Sequence, residues 1–405
     1  MRKKMILAVF LLPILSICIG LTSATAGRDG SLLEPTKINP SITWGTWDGW
    51  GTSICWMGNV FGDRDDLADL LFTTKTVSFE KKTLPGLGLN IVRYNAGACS
   101  NNVIGDWKDR LFGTTKKMAV SKTIKPYRQM DGFWLDGKSE DPQSQSWDWS
   151  VDAKQRAMLL KARDRGANWF ELFSNSPMWW MCKNLNPSGA TNGSDDNVAP
   201  EQYKNFAIYM ATIACQAKDK WGITFTTVEP INEPLLGCWY SNGKQEGCHV
   251  RSEAQGSIIQ VLRTEMDKRG LKDMPISASD ESQYDMAVDT WNTFDANTKH
   301  AVKQINVHGY QGGQGRREFV YALAKQDEKR LWNSEYGDAN PSGLALAANL
   351  NLDFRYLHPT AWCYWQPIDG NNWGFISTEM TSKTFQQVNP KYYVMAHYSR
   401  HIRQG

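Results

Sequence analysis

Residues 88–96 read GLNIVRYNA, a short apolar run that ends in the polar and aromatic residues Arg93, Tyr94 and Asn95. Seven other stretches have the same form: 48–55 (DGWGTSIC), 169–175 (WFELFSN), 223–229 (ITFTTVE), 274–279 (MPISAS), 304–308 (QINVH), 330–335 (RLWNSE) and 359–366 (PTAWCYWQ). Their length and composition suit strands. Amphipathic patterns separate them at 64–72, 152–165, 200–220, 252–269, 291–303, 316–325 and 342–357, and a last helical stretch follows at 389–401. Eight strands alternating with eight helices predict an α/β fold, a (β/α)8 TIM barrel. The competing architecture is a doubly wound open sheet. No Gly-rich phosphate loop follows the first strand, which removes the usual use of that sheet. Residues 97–150 form a long irregular insertion, which in a barrel is expected to lie over the catalytic face.

Composition narrows the class. Of 405 residues, 41% are hydrophobic and 21% charged, which excludes a disordered chain, a collagen-like fibre and a multi-span membrane protein. Net charge is +3, from 45 Lys plus Arg against 42 Asp plus Glu, and three of those cations are Arg2, Lys3 and Lys4. Without them the balance is 42 against 42, with no electrostatic footprint for nucleic acid or anionic lipid. The 18 Trp stand out. Core packing is the ordinary use for most of them, and stacking on the flat face of a ligand is the other.

The first 26 residues have the order of a secretory signal peptide: basic Arg2-Lys3-Lys4, an apolar run over 5–21, then small residues ending at Ala26. A membrane anchor is the alternative. The run is short for a span, contains Pro13 and ends in a good cleavage site, so cleavage after Ala26 is expected. The mature chain, an N-terminal segment over 27–47 and a barrel over 48–405, is then a soluble extracellular monomer with no membrane partner. Cys18 leaves with the signal. Of the remaining seven cysteines, Cys238 and Cys248 bracket a polar loop and are expected to pair. With no C-x-x-C pair and no H-E-x-x-H, neither a metal nor a cofactor is expected. Asn192-Gly193-Ser194 is an acceptable glycosylation sequon.

Barrel enzymes build their sites at the carboxyl ends of strands. Those ends offer Arg93, Asn175, Asn232, Glu233, Asp280, Glu281, His308, Tyr310, Glu335, Tyr336 and Trp365. Two isolated Glu residues among amides and aromatics are what retaining glycoside hydrolysis needs. One carboxylic acid protonates the leaving oxygen; the other, ionised, attacks the anomeric carbon. Glu233 follows Asn232, whose amide could bond a sugar 2-hydroxyl. Glu335 precedes Tyr336, a candidate phenolic partner, and Arg93 could keep the nucleophile ionised. Glu229 rivals Glu233 but lacks a preceding Asn and reads as a supporting carboxylate. Asp280 and Glu281 read equally as a helix-capping pair or as ligand contacts. His308 would ordinarily be a satisfied core histidine, and Tyr310 with the barrel context favours the site. Trp179, Trp180, Trp365 and Trp373 are core rings or sugar platforms, with Trp365 the best floor of a subsite.

Several stretches in order, among them GWGTSICW, GLGLNIVRYNAGACS, ELFSNSPMWWMC, VEPINEP, ISASDE, INVHGYQ, LWNSEYGD and NLNLDFRYLHPTAWCYWQP, resemble endo-β-1,6-galactanases of glycoside hydrolase family 30. The resemblance runs from about Trp44 to about Arg403 and is far more specific than a lone N-E-P. It implies retaining double displacement with Glu233 as acid/base and Glu335 as nucleophile. It also implies secreted action on the β-1,6-galactan side chains of arabinogalactan. Arg93, Asn232, His308, Tyr310 and Trp365 are carried over as substrate-binding positions, and Asn175 and Trp179 join them as candidates read from the sequence. Such enzymes usually continue into a C-terminal β-sandwich. Here only a candidate strand near 31–44 is expected, with the sandwich truncated. Two other readings stay open: another family 30 specificity (β-1,6-glucan, glucuronoxylan or glucosylceramide) and a non-catalytic carbohydrate-binding barrel.

Overall fold

The computed structural model describes residues 39–105 and 115–405. The expected signal peptide and residues 27–38 lie outside them. Eight parallel strands close a barrel: β1 (Gly49–Ser53), β2 (Ile91–Asn95), β3 (Trp169–Phe173), β4 (Thr227–Glu229), β5 (Ile276–Glu281), β6 (Val302–His308), β7 (Arg330–Tyr336) and β8 (Ala361–Tyr364). Each strand pairs with its chain neighbours, and β8 closes on β1 with Gly49 opposite Ala361 and Thr52 opposite Tyr364. All eight fall within the stretches expected from sequence or overlap them. Every residue of β1, β2, β4 and β5 is buried, which is why these strands read as continuous apolar runs rather than alternating ones. The barrel lies in one unit from Trp44 to Gly405. Among the described residues, no helix is long and apolar enough to cross a membrane.

The helices depart from expectation in two places. Between β5 and β6 one helix over 291–303 was expected, but two are present, Tyr284–Thr293 and Ala296–Ala301. Phe294 is extended, and the Asp295 side chain accepts from the Thr298 amide at 2.7 Å, which caps and restarts the second helix. A helix over Cys55–Phe61 follows β1 directly, with no separate signal in the sequence. Downstream of β8 a small sheet was also unforeseen, formed by Ile368–Asp369, Ile376–Glu379 and Thr384–Val388.

The Trp-rich insertion after β2 packs its rings onto the main core, with Trp147 stacked on Tyr209. Trp134 and Trp147 stack with ring centroids 4.9 Å apart, Trp147 and Trp149 at 5.2 Å, and Trp180 meets Trp134 edge-on at 5.2 Å. The indole N–H groups of Trp134 and Trp147 both donate to the Ser139 carbonyl, at 3.0 and 3.1 Å. Burial with a satisfied N–H is the usual fate of such rings.

The expected Cys238–Cys248 disulfide is absent. Cys238 is exposed and Cys248 buried, both as free thiols. Trp239 decides this. Its N–H donates to the Glu233 carbonyl at 2.8 Å, and the ring packs on Gly247, where a side chain would collide with it. The loop ends are thereby turned apart, one to solvent and one to the core.

Gly51 sits where the barrel closes, between Ile91 and Cys363; a Cβ there would stand 2.7 Å from Ile91 Cβ and closer still to the Cys363 sulfur. Gly51→Ala should therefore lower stability by about 1–3 kcal/mol through overpacking. Adding Cys363→Ala should recover part of the loss in urea titrations; strictly additive losses would mean the closure has slack.

Candidate active site

A cleft of about 670 Å³ opens at the carboxyl ends of the strands. Asn232, Glu233, Tyr310, Glu335 and Trp365 line it, together with Trp56. Glu233 follows β4 and Glu335 lies near the end of β7, so strand geometry aims both carboxyls at one space. An oxygen of each, with a ring nitrogen of His308, lies within 4.8 Å of the others. Both carboxyls are thus close enough to act on one glycosidic bond.

Glu233 has a left-handed backbone, φ +46°, as does Asp280, φ +55°. For residues with a Cβ this costs of order 1 kcal/mol, and it persists only where neighbours dictate it. Here the Glu233 amide donates to the Asp280 carbonyl at 2.9 Å, the Asn232 amide to the Ser174 carbonyl at 3.0 Å, and Trp239 to the Glu233 carbonyl. Two neighbouring strand ends and the Trp239 loop thus hold the turn that aims Glu233 into the cleft.

Behind the two Glu residues lies a buried charge network. The Arg93 guanidinium, fully buried, donates to Glu171 (2.7 Å), Asp280 (2.5 Å) and Glu335 (2.9 Å). His308, also fully buried, has Nδ1 3.1 Å from Glu233 Oε1 and 3.5 Å from Glu335 Oε1, with Nε2 3.1 Å from Asp280 Oδ1. The Nε2 contact is Coulombic, since its geometry makes no hydrogen bond. Tyr310 donates to Glu335 Oε1 at 2.8 Å.

The charges respond accordingly. Burial pulls His308 down, but the Glu335 and Asp280 carboxylates outweigh it and lift the imidazole to about 10, so it is a cation at neutral pH. Burial pushes Asp280 up, yet Arg93 and His308 more than offset this and hold it below the usual carboxylate range. Glu335 is pushed up to about 7 by burial, with His308 and Arg93 pulling against the rise. Glu229, reached by the Asn306 amide at 3.2 Å, is raised by burial and by Asp280 and Glu171. It belongs to the barrel interior, as its reading as a supporting carboxylate required. The trio Glu233, His308 and Glu335 has metal-ligand spacing, but a cationic imidazole with Arg93 beside it repels a cation.

Of the positions expected to contact substrate, Asn232, Tyr310 and Trp365 reach the cleft. Four do not. Arg93 and His308 are wholly buried behind the carboxylates. Trp179 is a core ring whose N–H donates to Ser100 at 2.6 Å. Asn175 is buried and does not line the cleft, with its backbone amide donating to Asn95 Oδ1 at 3.1 Å. Asn192 is exposed on a loop away from the cleft. Sequence reasoning missed Trp56, Arg128 and the wall formed by the sheet after β8, including Glu379 and Gln386. Trp56 lies on the unforeseen first helix, meets Trp365 edge-on at 5.0 Å and carries the Arg128 guanidinium 4.0 Å above its ring. The insertion does reach the catalytic face, through Tyr127 and Arg128. Trp373 also lines the cleft.

A closed parallel barrel whose strand ends bring two carboxyls into one cleft is the frame of a glycoside hydrolase, and the sequence comparisons agree. The model of O-glycosyl hydrolase family 30 matches residues 34–307, and the chain belongs to glycoside hydrolase family 30. The endo-β-1,6-galactanase of Hypocrea rufa is 52% identical over 390 residues, 96% of this chain and 78% of that protein. The exo-β-1,6-galactobiohydrolase of Bifidobacterium longum subsp. longum is 24% identical over 439 residues, 86% of this chain and 28% of that one. Among solved structures, the family 30 subfamily 8 xylanase of Clostridium acetobutylicum superposes with a TM-score of 0.63 at 19% identity, over 91% of this chain and 75% of that one. That last likeness bears on the fold.

Removing the central cation should be costly. Arg93→Met leaves Glu171, Asp280 and Glu335 without their shared partner, and stability at pH 7 should fall by about 3–5 kcal/mol. Asp280, lowered in the folded protein, contributes stability that is present above about pH 3.8 and lost as pH falls through its folded value. The gap between wild type and variant in urea titrations should therefore narrow on acidification below about pH 4. A constant gap would mean that packing, not charge, carries the effect.

Proposed function

We propose that this glycoside hydrolase is a secreted, retaining endo-β-1,6-galactanase that cuts galactan side chains of arabinogalactan, with Glu233 as acid/base and Glu335 as nucleophile. The observation that carries the reading is the close approach of these two carboxyls in one cleft, from the ends of β4 and β7. The substrate rests on the 52% identity to the galactanase of Hypocrea rufa, and export on the basic, apolar and small-residue order of 1–26.

The first step forms a covalent glycosyl-enzyme. The Glu335 carboxylate attacks the anomeric carbon while the Glu233 carboxylic acid protonates the departing glycosidic oxygen. Tyr310 and Arg93 each hold one Glu335 oxygen, fixing the plane of attack. In the second step Glu233 takes a proton from water, the oxygen of that water attacks the same carbon, and Glu335 leaves as carboxylate. The anomeric configuration is retained. Trp365 and Trp373 offer apolar faces for sugar rings, and Asn232 a side-chain amide for a hydroxyl.

Purified protein incubated with de-arabinosylated arabinogalactan and with β-1,6-glucan provides the test. Short β-1,6-galacto-oligosaccharides appearing first as the β-anomer by NMR are expected, with the rate reduced at least about 10³-fold in Glu335→Gln. Glucan cleavage instead would keep the mechanism and overturn the substrate. Undiminished activity in the variant would overturn the nucleophile. No product from folded protein would favour a binding role.

A further inference from the structure

During double displacement one negative charge changes place. Before the first step it is on Glu335. Once Glu335 has become a neutral ester and Glu233 has given up its proton, it is on Glu233; hydrolysis of the ester returns it. In a buried site, a charge that moves away from its counter-ion is expensive. Arg93 touches Glu335 but no oxygen of Glu233, so it serves only the first position.

His308 is the one cation in contact with both among the described residues. Its Nδ1 lies 3.1 Å from Glu233 Oε1 and 3.5 Å from Glu335 Oε1. Its far nitrogen is 3.1 Å from Asp280, itself tied to Arg93 at 2.5 Å and accepting from Ser334 at 2.6 Å. Asp280 arrives in a left-handed conformation, the Tyr310 ring packs against the imidazole edge-on at 5.7 Å, and no part of the imidazole is exposed. The groups facing His308 are thus Glu233, Glu335 and Asp280, with Tyr310 as the neutral wall and Arg93 one contact removed. We propose that His308 is a positioning residue held as a fixed cation by Asp280, and that it neutralises whichever of Glu233 and Glu335 is ionised at each stage. No proton passes through it; the charge moves between its two neighbours. The inference rests on the roles proposed for Glu233 and Glu335 above.

Two measurements test it. In ¹⁵N-histidine-labelled wild type, both ring nitrogens of His308 should stay protonated up to at least pH 8, and should remain so after Glu335 is trapped by an activated 2-deoxy-2-fluoro glycoside. A ring titrating near the ordinary 6.5 in either form overturns the proposal. This measurement needs no turnover, so an error in the assumed glycan does not obscure it. Trapping on a residue other than Glu335 would instead overturn the role assignment.

In His308→Gln, the loss of a cation that served both carboxyls should move two acidic limbs to higher pH by roughly one unit. One is that of kcat/KM, which reports the free enzyme. The other is that of kcat on a substrate with a good leaving group, which reports the glycosyl-enzyme. A shift in only one limb would make His308 the partner of a single carboxylate. Lower rates with both limbs unmoved would make its role structural. Should His308→Gln fail to fold, Asp280→Asn replaces it in the ring-nitrogen measurement: without that carboxylate His308 should lose its proton at lower pH than in wild type, and an unchanged titration would overturn Asp280 as the group that holds the cation.

Discussion

One buried guanidinium organises this barrel. Arg93, fully buried, carries three carboxylates from three different strands, β3, β5 and β7. An ion cluster of this kind is a poor way to gain stability, because removing each charge from water costs about what the pairing returns. Its value here is positional. Glu335 can point into the cleft in only one way while Arg93 holds one of its oxygens and Tyr310 the other.

The same logic extends outward. Asp280 connects Arg93 to His308, and His308 connects to Glu233, so the two carboxyls of the cleft belong to one connected network of charges. The left-handed backbone at Glu233 and Asp280 is the local cost of making strand ends meet at that network. The barrel supplies the compensation, through backbone bonds that bind the turn after β4 to β5 and to the end of β3.

Around this fixed centre the walls are variable in origin. One comes from the insertion after β2, whose stacked Trp rings pack onto the barrel's own core and whose Tyr127 and Arg128 are braced by Asn59 and Trp56 of the first helix. Another comes from the short sheet after β8, which brings Trp373 and Glu379 to the rim. Such walls are where enzymes sharing one barrel diverge in the glycan they accept, because loops change shape without disturbing the strands.

The eight strands were legible because strands buried on both faces leave a mark that local sequence carries: a short apolar run, then a polar residue where the barrel opens. For the same reason Glu233 and Glu335, each at such an end, could be singled out. Less was legible wherever the deciding contact lies far along the chain. Arg93 and His308 read as substrate contacts, and only the folded barrel placed them behind the carboxylates, because a strand position fixes which way a side chain points but not what stands between it and the cleft. Trp179 and Trp365 are alike as residues; packing against Ser100 buries one, and the cleft claims the other. Cys238 and Cys248 looked paired by spacing, but Trp239, anchored to Glu233, turned them apart. The sequence by itself determined the barrel and put Glu233 and Glu335 at its strand ends, since both follow from the residues of single segments. Tertiary structure alone decided their electrostatic partners and the cleft walls, since those depend on which distant segments meet.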